Sequence, residues 1–228
     1  MAKPVAVIDY SVDGLSGNLI RSWLKVPSVV VKVLDGEEFP GISPNEFKAV
    51  IHSGSSHSIV DDTSFSPGAV RFVKKATETG VPQMGICYGH QLLARATVGL
   101  RAVEKCSSIE IGWRTVSFLP SWPVDGLSGE KVIWSSHYDC VTQLPPGSVV
   151  TATNSHTEIQ AFVNMEMKLF GTQFHPEFDR DHGNDSFTKD AELFRKNHID
   201  LQAVLASAPD FHTGEVVFQH FFDTFRQE

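Results

Sequence analysis

Cys87 stands between two glycines in the stretch MGICYGHQLL, residues 84–93, with Val81, Met84 and Ile86 leading into it and a helical pattern leading out. The pentapeptide Gly85-Ile86-Cys87-Tyr88-Gly89 has the form Gly-x-Cys-x-Gly at the end of a strand-like run. This is the nucleophile-elbow arrangement with cysteine in place of serine: a sharp strand-to-helix turn whose flanking side chains must be absent so that strand, helix and substrate can approach. The helix N-terminus supplies backbone N–H groups and a positive dipole end, which favour a thiolate and an oxyanion. Glycine-flanked cysteines also arise in ordinary cores, so the pattern alone leaves both readings open.

A nucleophilic cysteine needs a base, and the base needs an orienting acceptor. Ten histidines make the presence of one uninformative. The stretch FGTQFHPEFD, residues 170–179, is more specific, because His175 follows a strand-like run and Glu177 lies two residues on, across Pro176. In an extended segment residues two apart face the same side, so imidazole and carboxylate can lie together. A polar surface loop would read the same way.

The elements that must position these residues alternate in kind. VAVID (5–9), VVVKVL (29–34), AVIHSG (49–54) and VPQMGIC (81–87) read as buried strands. Between them GNLIRSWLK (17–25), PGAVRFVKKATETG (67–80) and YGHQLLARATVG (88–99) read as helices. Strands interleaved with helices predict βαβ units and a parallel sheet covered on both faces. Residues 110–119, 131–136, 148–153, 158–163 and 168–174 are strand-like with little helix between them, which predicts an antiparallel extension. FDRDHGNDSFTKD (178–190) reads as a polar loop, and 188–208 and 214–228 as helices. The chain is expected to form one domain, 1–228.

Composition narrows the function. Of 228 residues, 41% are hydrophobic and 20% charged, with a net charge of -8 and no Lys/Arg cluster, which disfavours nucleic acid as partner. Apolar runs fall far short of the ~18 residues of a membrane span, and MAKPVAVIDY shows no signal-peptide pattern. Three cysteines, Cys87, Cys106 and Cys140, without a CxxC pair point to a reducing cytoplasm.

GICYGHQLL followed by GTQFHPEF resembles the class I glutamine amidotransferase family, whose members carry a Cys–His–Glu triad on a flavodoxin-like α/β domain. The likeness extends through VAVIDY, IHSGSSHSI, EIGWRTV (110–116) and VIWSSHYD (132–139), in the manner of the GMP-synthetase branch, and covers the chain to about residue 180. It implies a three-layer sandwich with a mainly parallel central sheet and a small antiparallel extension. It further implies that Cys87 attacks the carboxamide of L-glutamine, that His175 shuttles the proton and that Glu177 orients His175. The backbone N–H groups of Tyr88 and Ser55 would hold the oxyanion. Gly54, Gln91 and the backbone of Ser136, His137 and Tyr138 would bind the substrate. No cofactor and no metal are implied. A separate synthetase or acceptor enzyme, and a homodimer, are compatible with it.

Three departures stand out. The family's usual Ser-Gly-Gly-Pro reads Ser53-Gly54-Ser55-Ser56, so a positive φ at the third position would strain Ser55. Its Ser-His-Gly-Asp reads Ser136-His137-Tyr138-Asp139. About thirty residues, roughly 180–212, precede the last helix as an insertion: a lid, a dimer surface, a docking site or a packed helix. No SGGxDS motif of an ATP-dependent synthetase follows. A stand-alone γ-glutamyl hydrolase or peptidase is therefore the alternative, and a catalytically silent regulatory homologue a third reading. A metal site at His175, Glu177 and His182 with Asp179 and Asp181 lacks the spacing of zinc motifs. His52, His57, Cys106 and Cys140 read as structural, Trp23, Trp113, Trp122 and Trp134 as packing residues, and Phe218, Phe221, Phe222 and Phe225 as the apolar face of the last helix.

Overall fold

The computed structural model describes residues 3–120 and 126–226; Trp122 and the last two residues of the chain lie outside them. Four short runs form the parallel strands the pattern predicts: β1 (Val5–Asp9), β2 (Ser28–Lys32), β3 (Ala49–His52) and β4 (Gln83–Ile86). Every residue of β1, β3 and β4 is buried, as expected of strands covered on both faces. The connecting helices are α1 (Ser16–Trp23), α2 (Ser66–Glu78) and α3 (Tyr88–Val98). In α2 proline occupies the first turn, and Ala69, Phe72, Val73 and Ala76 form the buried stripe at helical spacing. Gly80, at φ +69 just past the C-cap, ends it in the left-handed conformation that glycine adopts without cost.

Alternation along β1 separates two core layers. Ala6 and Ile8 join Phe72, Val73, Leu92 and Leu93 on one face. Val5 and Val7 join Ile20, Val217, Phe218 and Phe221 on the other. The first layer lies under α2 and α3, the second under α1 and α7 (Thr213–Thr224), so the last helix packs its phenylalanine face on the sheet as predicted.

The remaining strands are β5 (Val103–Phe118), β6 (Gly129–Val141), β7 (Val149–Thr153), β8 (Ala161–Asn164) and β9 (Leu169–Thr172). They complete one nine-stranded sheet in the order β2-β1-β3-β4-β9-β8-β7-β5-β6. β9 pairs parallel with β4 and antiparallel with β8. The 2-1-3-4-9 half has the flavodoxin-like, doubly wound order, whose ligands lie outside the carboxyl ends of the strands. The antiparallel part is larger than a small extension: β5 and β6 run 16 and 13 residues and pair along nearly their whole length, with a register shift between Lys105 and Glu110.

The insertion differs from its expectation. Residues 178–190, read as a loop, contain the helix α4 (Arg180–Lys189). The helix expected over 188–208 is broken into α5 (Ala191–Lys196) and α6 (Leu201–Ala206). What makes α4 is external to its own polar sequence. The Asp179 carboxylate caps it by accepting from the His182 N–H at 2.8 Å. Two indoles grip it from the sheet, Trp113 donating to the Asn184 side chain at 2.9 Å and Trp134 to the Gly183 carbonyl at 3.2 Å. Beyond α5, His198 takes a positive φ of 56°, and the Asp200 carboxylate caps α6 by accepting from Gln202 and Ala203. Phe187 and Phe194 are buried with Ile111, Trp113 and Trp134 in a third cluster, so the insertion is seated on β5 and β6. Among the described residues no helix is long and apolar enough to cross a membrane.

A Cβ at Gly183 would stand 2.6 Å from the Trp113 ring and 2.7 Å from that of Trp134. Gly183→Ala is therefore expected to cost about 1–3 kcal/mol through overpacking, read as a lowered urea midpoint. An unchanged midpoint would show that α4 is not clamped between the two indoles.

Candidate functional site

The site is built at the carboxyl ends of β3, β4 and β9. Cys87 ends β4 at φ 50° and ψ −103°, a backbone conformation rare for a side-chain-bearing residue. Its N–H donates to the Thr172 carbonyl at 2.8 Å, and its own carbonyl accepts from Gln91 N–H at 3.0 Å, which ties the turn to β9 and to the first turn of α3. The flanking glycines are required by contact. A Cβ on Gly85 would meet the Gly89 carbonyl at 2.4 Å, and one on Gly89 the His52 carbonyl oxygen at 2.3 Å. The elbow expected from the sequence is thus present, with its thiol aimed at the Ser136 carbonyl, 3.7 Å away.

His175 follows β9, and its N–H donates to the Trp134 carbonyl at 3.0 Å. Its Nδ1 lies 2.8 Å from Glu177 Oε1, and its ring is hydrogen-bonded to the Cys87 side chain. Cys87, His175 and Glu177 are all buried. Burial alone would lower the His175 pKa, but the Glu177 carboxylate and the Cys87 sulfur outweigh it and raise it to about 10. The resulting imidazolium places a positive charge beside the sulfur, the setting in which a thiolate is the nucleophile. Glu177 is held in turn: Trp23 Nε1 donates to its backbone carbonyl at 2.9 Å and Ser16 Oγ to its Oε1 at 3.4 Å. Neither Ser16 nor the link from Trp23 could be read from spacing, since each is more than 150 residues away.

The imidazole is packed by aromatics. The Trp134 ring meets it edge-on at 4.7 Å and is itself stacked on Phe178 at 4.3 Å and on Phe187 of α4 at 4.9 Å. On the opposite wall, a Cβ on Gly54 would stand 2.6 Å from His175 Cε1, so that loop can pass only as glycine. The next residue, Ser55, is free of the expected strain: among the described residues only Cys87, Lys168 and His198 combine a side chain with positive φ. Ser55 Oγ accepts instead from the His57 N–H at 3.1 Å and holds the loop by a local turn.

The candidate substrate residues divide. Ser136, with its carbonyl on the Cys87 sulfur, and Gly54, against His175, face the nucleophile. The Gln91 amide nitrogen is already engaged, donating to the Asp139 carbonyl at 2.8 Å and to Gln173 Oε1 at 3.1 Å. The His137 side chain turns away into the sheet, with Nε2 2.7 Å from Glu110 Oε2 and Nδ1 3.0 Å from the Asp139 carbonyl. The buried Asp139 side chain accepts from Ser58 Oγ at 2.7 Å and Ile59 N–H at 2.9 Å, joining β6 to the loop that carries Gly54 and Ser55. Glu110 and Asp139 are therefore supports of the site that the sequence pattern left unassigned. Their partners are strand and loop neighbours 27 and 80 residues distant.

Glu110, His137 and His156 bring one ligand atom each within 4.8 Å of one another, the donor set of a metal site. Each is committed to protein partners, however. Glu110 also accepts from Gln160 and Asn154, and His156 bonds Thr157 and Ser108. The cluster accordingly works as a brace for β6. His182 pairs with Asp179 at the start of α4, not with His175 and Glu177. His52, buried and lowered to about 4 by that burial, bonds Tyr10 and Gln83 and serves the core. Cys106 Sγ lies 3.9 Å from His137 Nδ1, at the edge of the same brace.

Two variants check these arrangements. Glu110→Ala leaves His137 buried without its carboxylate and is expected to cost about 3–5 kcal/mol in unfolding free energy; a loss below about 1 kcal/mol would show the pair to be idle. The His175 pKa is raised above its unfolded value of about 6.5, so the stability it contributes is complete below that pH and is lost as pH rises through about 10. Glu177→Gln removes the carboxylate responsible. The fall in denaturation midpoint from about pH 7 to about pH 10 is expected to be shallower than in the parent chain. Equal slopes would contradict the pairing.

The chain matches the family described as glutamine amidotransferase class-I over residues 7–193. It is 37% identical over 185 residues, 79% of its length and 34% of the relative's, to a protein of Bacillus cereus (strain G9842) named GMP synthase [glutamine-hydrolyzing]. It is 40% identical over 130 residues, 57% of its length and 23% of the relative's, to one of the same name from Parafrankia sp. (strain EAN1pec). The chain thus spans about a third or less of these curated relatives. Among solved structures, a glutamine amidotransferase from Thermotoga maritima superposes with a TM-score of 0.82 at 18% identity over 100% of both chains. One from Methylobacillus flagellatus, also described as a glutamine amidotransferase, gives 0.77 at 21% identity, over 100% of this chain and 97% of that one. With the family match extending over most of its length and the elbow, imidazole and carboxylate assembled at the strand ends, the chain belongs to the class I glutamine amidotransferases.

Proposed function

We propose that the chain is a glutaminase: it hydrolyses the side-chain amide of L-glutamine and releases ammonia for a separate acceptor enzyme. The observation that carries this reading is the Cys87–His175–Glu177 chain of hydrogen bonds on a strained elbow. Cys87 Sγ attacks the carboxamide carbon. The oxyanion that forms is held by the backbone N–H groups of Tyr88 and Ser55, which act where charge develops. His175 gives its proton to the departing nitrogen, leaving a γ-glutamyl thioester and ammonia. It then takes a proton from water, whose oxygen attacks the thioester carbon, and glutamate departs as the thiol is restored. Glu177 keeps the imidazole in place and stabilises its charged form. Gly54, Gln91 and the backbone of Ser136, His137 and Tyr138 hold the substrate.

Support for the substrate comes from relatives named as glutamine-hydrolysing. Support for a separate acceptor enzyme comes from lengths: the chain aligns with only 34% of the Bacillus cereus GMP synthase, yet covers the whole of the Thermotoga maritima amidotransferase. We read residues 1–228 as one amidotransferase domain with a helical insertion at about 180–212, working in the cytoplasm. A γ-glutamyl hydrolase would use the same three residues, but Tyr138 bonded to the Ser56 carbonyl narrows the opening and does not favour a longer substrate.

Glutamate and ammonia release from L-glutamine, beside a panel of γ-glutamyl peptides, tests the reading. Glutamine turnover is expected, abolished in Cys87→Ala and lowered on the order of 10⁴-fold in kcat by Glu177→Gln, as when a triad loses its orienting carboxylate. Turnover of γ-glutamyl peptides without glutamine would replace it by the hydrolase. No turnover, together with no adduct at Cys87 from an electrophilic glutamine analogue, would overturn it.

A further inference from the structure

Two segments flank Cys87: residues 53–56, after β3, and residues 136–139, in β6. They are joined twice. The inner link is the buried Asp139 carboxylate on Ser58 and Ile59. The outer link is Tyr138, whose hydroxyl donates to the Ser56 carbonyl. The two differ in kind. Asp139 is 2% exposed and its carboxylate takes two donors, whereas Tyr138 is 40% exposed and makes one bond at the surface. A single hydrogen bond that water can replace is weak, so this outer link is one that can open.

Its position matters because of what lies beneath. Cys87 is only 4% exposed. The Ser136 carbonyl, two residues before Tyr138, lies 3.7 Å from its sulfur, and Gly54, two residues before Ser56, lies against His175. The phenol therefore spans from one wall of the nucleophile's slot to the other. Burial pushes the Tyr138 hydroxyl up to about 12, with the charges of Asp139 and Cys87 adding to it, so it remains a donor at neutral pH.

We propose that Tyr138 is a specificity-determining residue: latched on Ser56, its ring roofs the slot above Cys87 and limits the site to a substrate the size of free glutamine. Glutamine carrying a further residue, on its carboxamide nitrogen or its α-amino group, would hold the roof open. This deepens the glutaminase reading and rests on it for the identity of the substrate.

The test separates the two. The parent chain, Tyr138→Phe and Tyr138→Gly are compared in two measurements, with circular dichroism confirming that each variant folds. The first is the rate of Cys87 alkylation by iodoacetamide and by a bulky aryl maleimide, read at the Cys87 peptide by mass spectrometry so that Cys106 and Cys140 do not contribute. The second is kcat/KM for L-glutamine, for γ-glutamyl-p-nitroanilide and for a glutaminyl peptide acylated at its α-amino group.

Tyr138→Gly is expected to raise the bulky-to-small alkylation ratio about tenfold or more, and the extended-to-free substrate ratio likewise, the scale on which pocket walls discriminate. Tyr138→Phe, which keeps the ring and loses the latch, should fall between. An alkylation ratio in Tyr138→Gly within about twofold of the parent would overturn the roof. So would a parent chain that cleaves the anilide as readily as glutamine. If the alkylation ratio responds as expected while no variant turns over glutamine, the roof stands and the glutaminase reading is what fails.

Discussion

The backbone at Cys87 constrains everything around it. A side-chain-bearing residue at φ 50° and ψ −103° is held there only because neighbours leave no alternative. Gly85 lets the first turn of α3 fold back on β4, and Gly89 lets α3 pass over the end of β3 at the His52 carbonyl. Thr172 accepts from the Cys87 N–H, which places β9 beside β4 and so brings the residues after β9 within reach of the sulfur. One strained residue thus sets where α3 starts, where β3 stops and where His175 emerges.

Around that point the molecule holds its polar groups by pairs that are individually buried. Glu177 orients His175, and Ser16 and Trp23 hold Glu177. Glu110 holds His137, and Asp139 holds the loop after β3. Buried charges unpaired are costly, so each pair is satisfied only in this arrangement. The same pairing explains why the Glu110, His137 and His156 cluster is a brace: its nitrogens and oxygens are spoken for by Asn154, Gln160, Thr157 and Ser108.

What the sequence could reveal follows from which forces are local. The parallel strands were legible because both faces of β1, β3 and β4 are buried, leaving uninterrupted apolar runs. The elbow was legible because its requirement is two missing side chains at fixed spacing. The His175–Glu177 pair was legible because two residues of extended chain join it. By contrast, α4 is polar along its length and owes its existence to the Asp179 cap and to two indole N–H groups more than 45 residues earlier in the chain. No local periodicity records such support. Glu110 and Asp139 escaped for the same reason. Ser55 was expected to strain its loop, and the loop avoids this by turning on the serine's own hydroxyl. The extent of the antiparallel half was underestimated because long twisted strands with a register shift break the alternation that marks them.

The stacked column Phe178–Trp134–Phe187 ends on the edge of His175. One of its members belongs to the insertion, another to the sheet, and a third to the segment carrying the imidazole. The inserted helices are therefore wired into the chemistry by shape alone, without a charge or a hydrogen bond reaching the sulfur. For the lineage that carries this chain, shortening the insertion is not a neutral trim of surface decoration. Loss of Phe187 would bare one face of the indole that walls the imidazole, so the history of α4 and that of the proton carrier have to be written together.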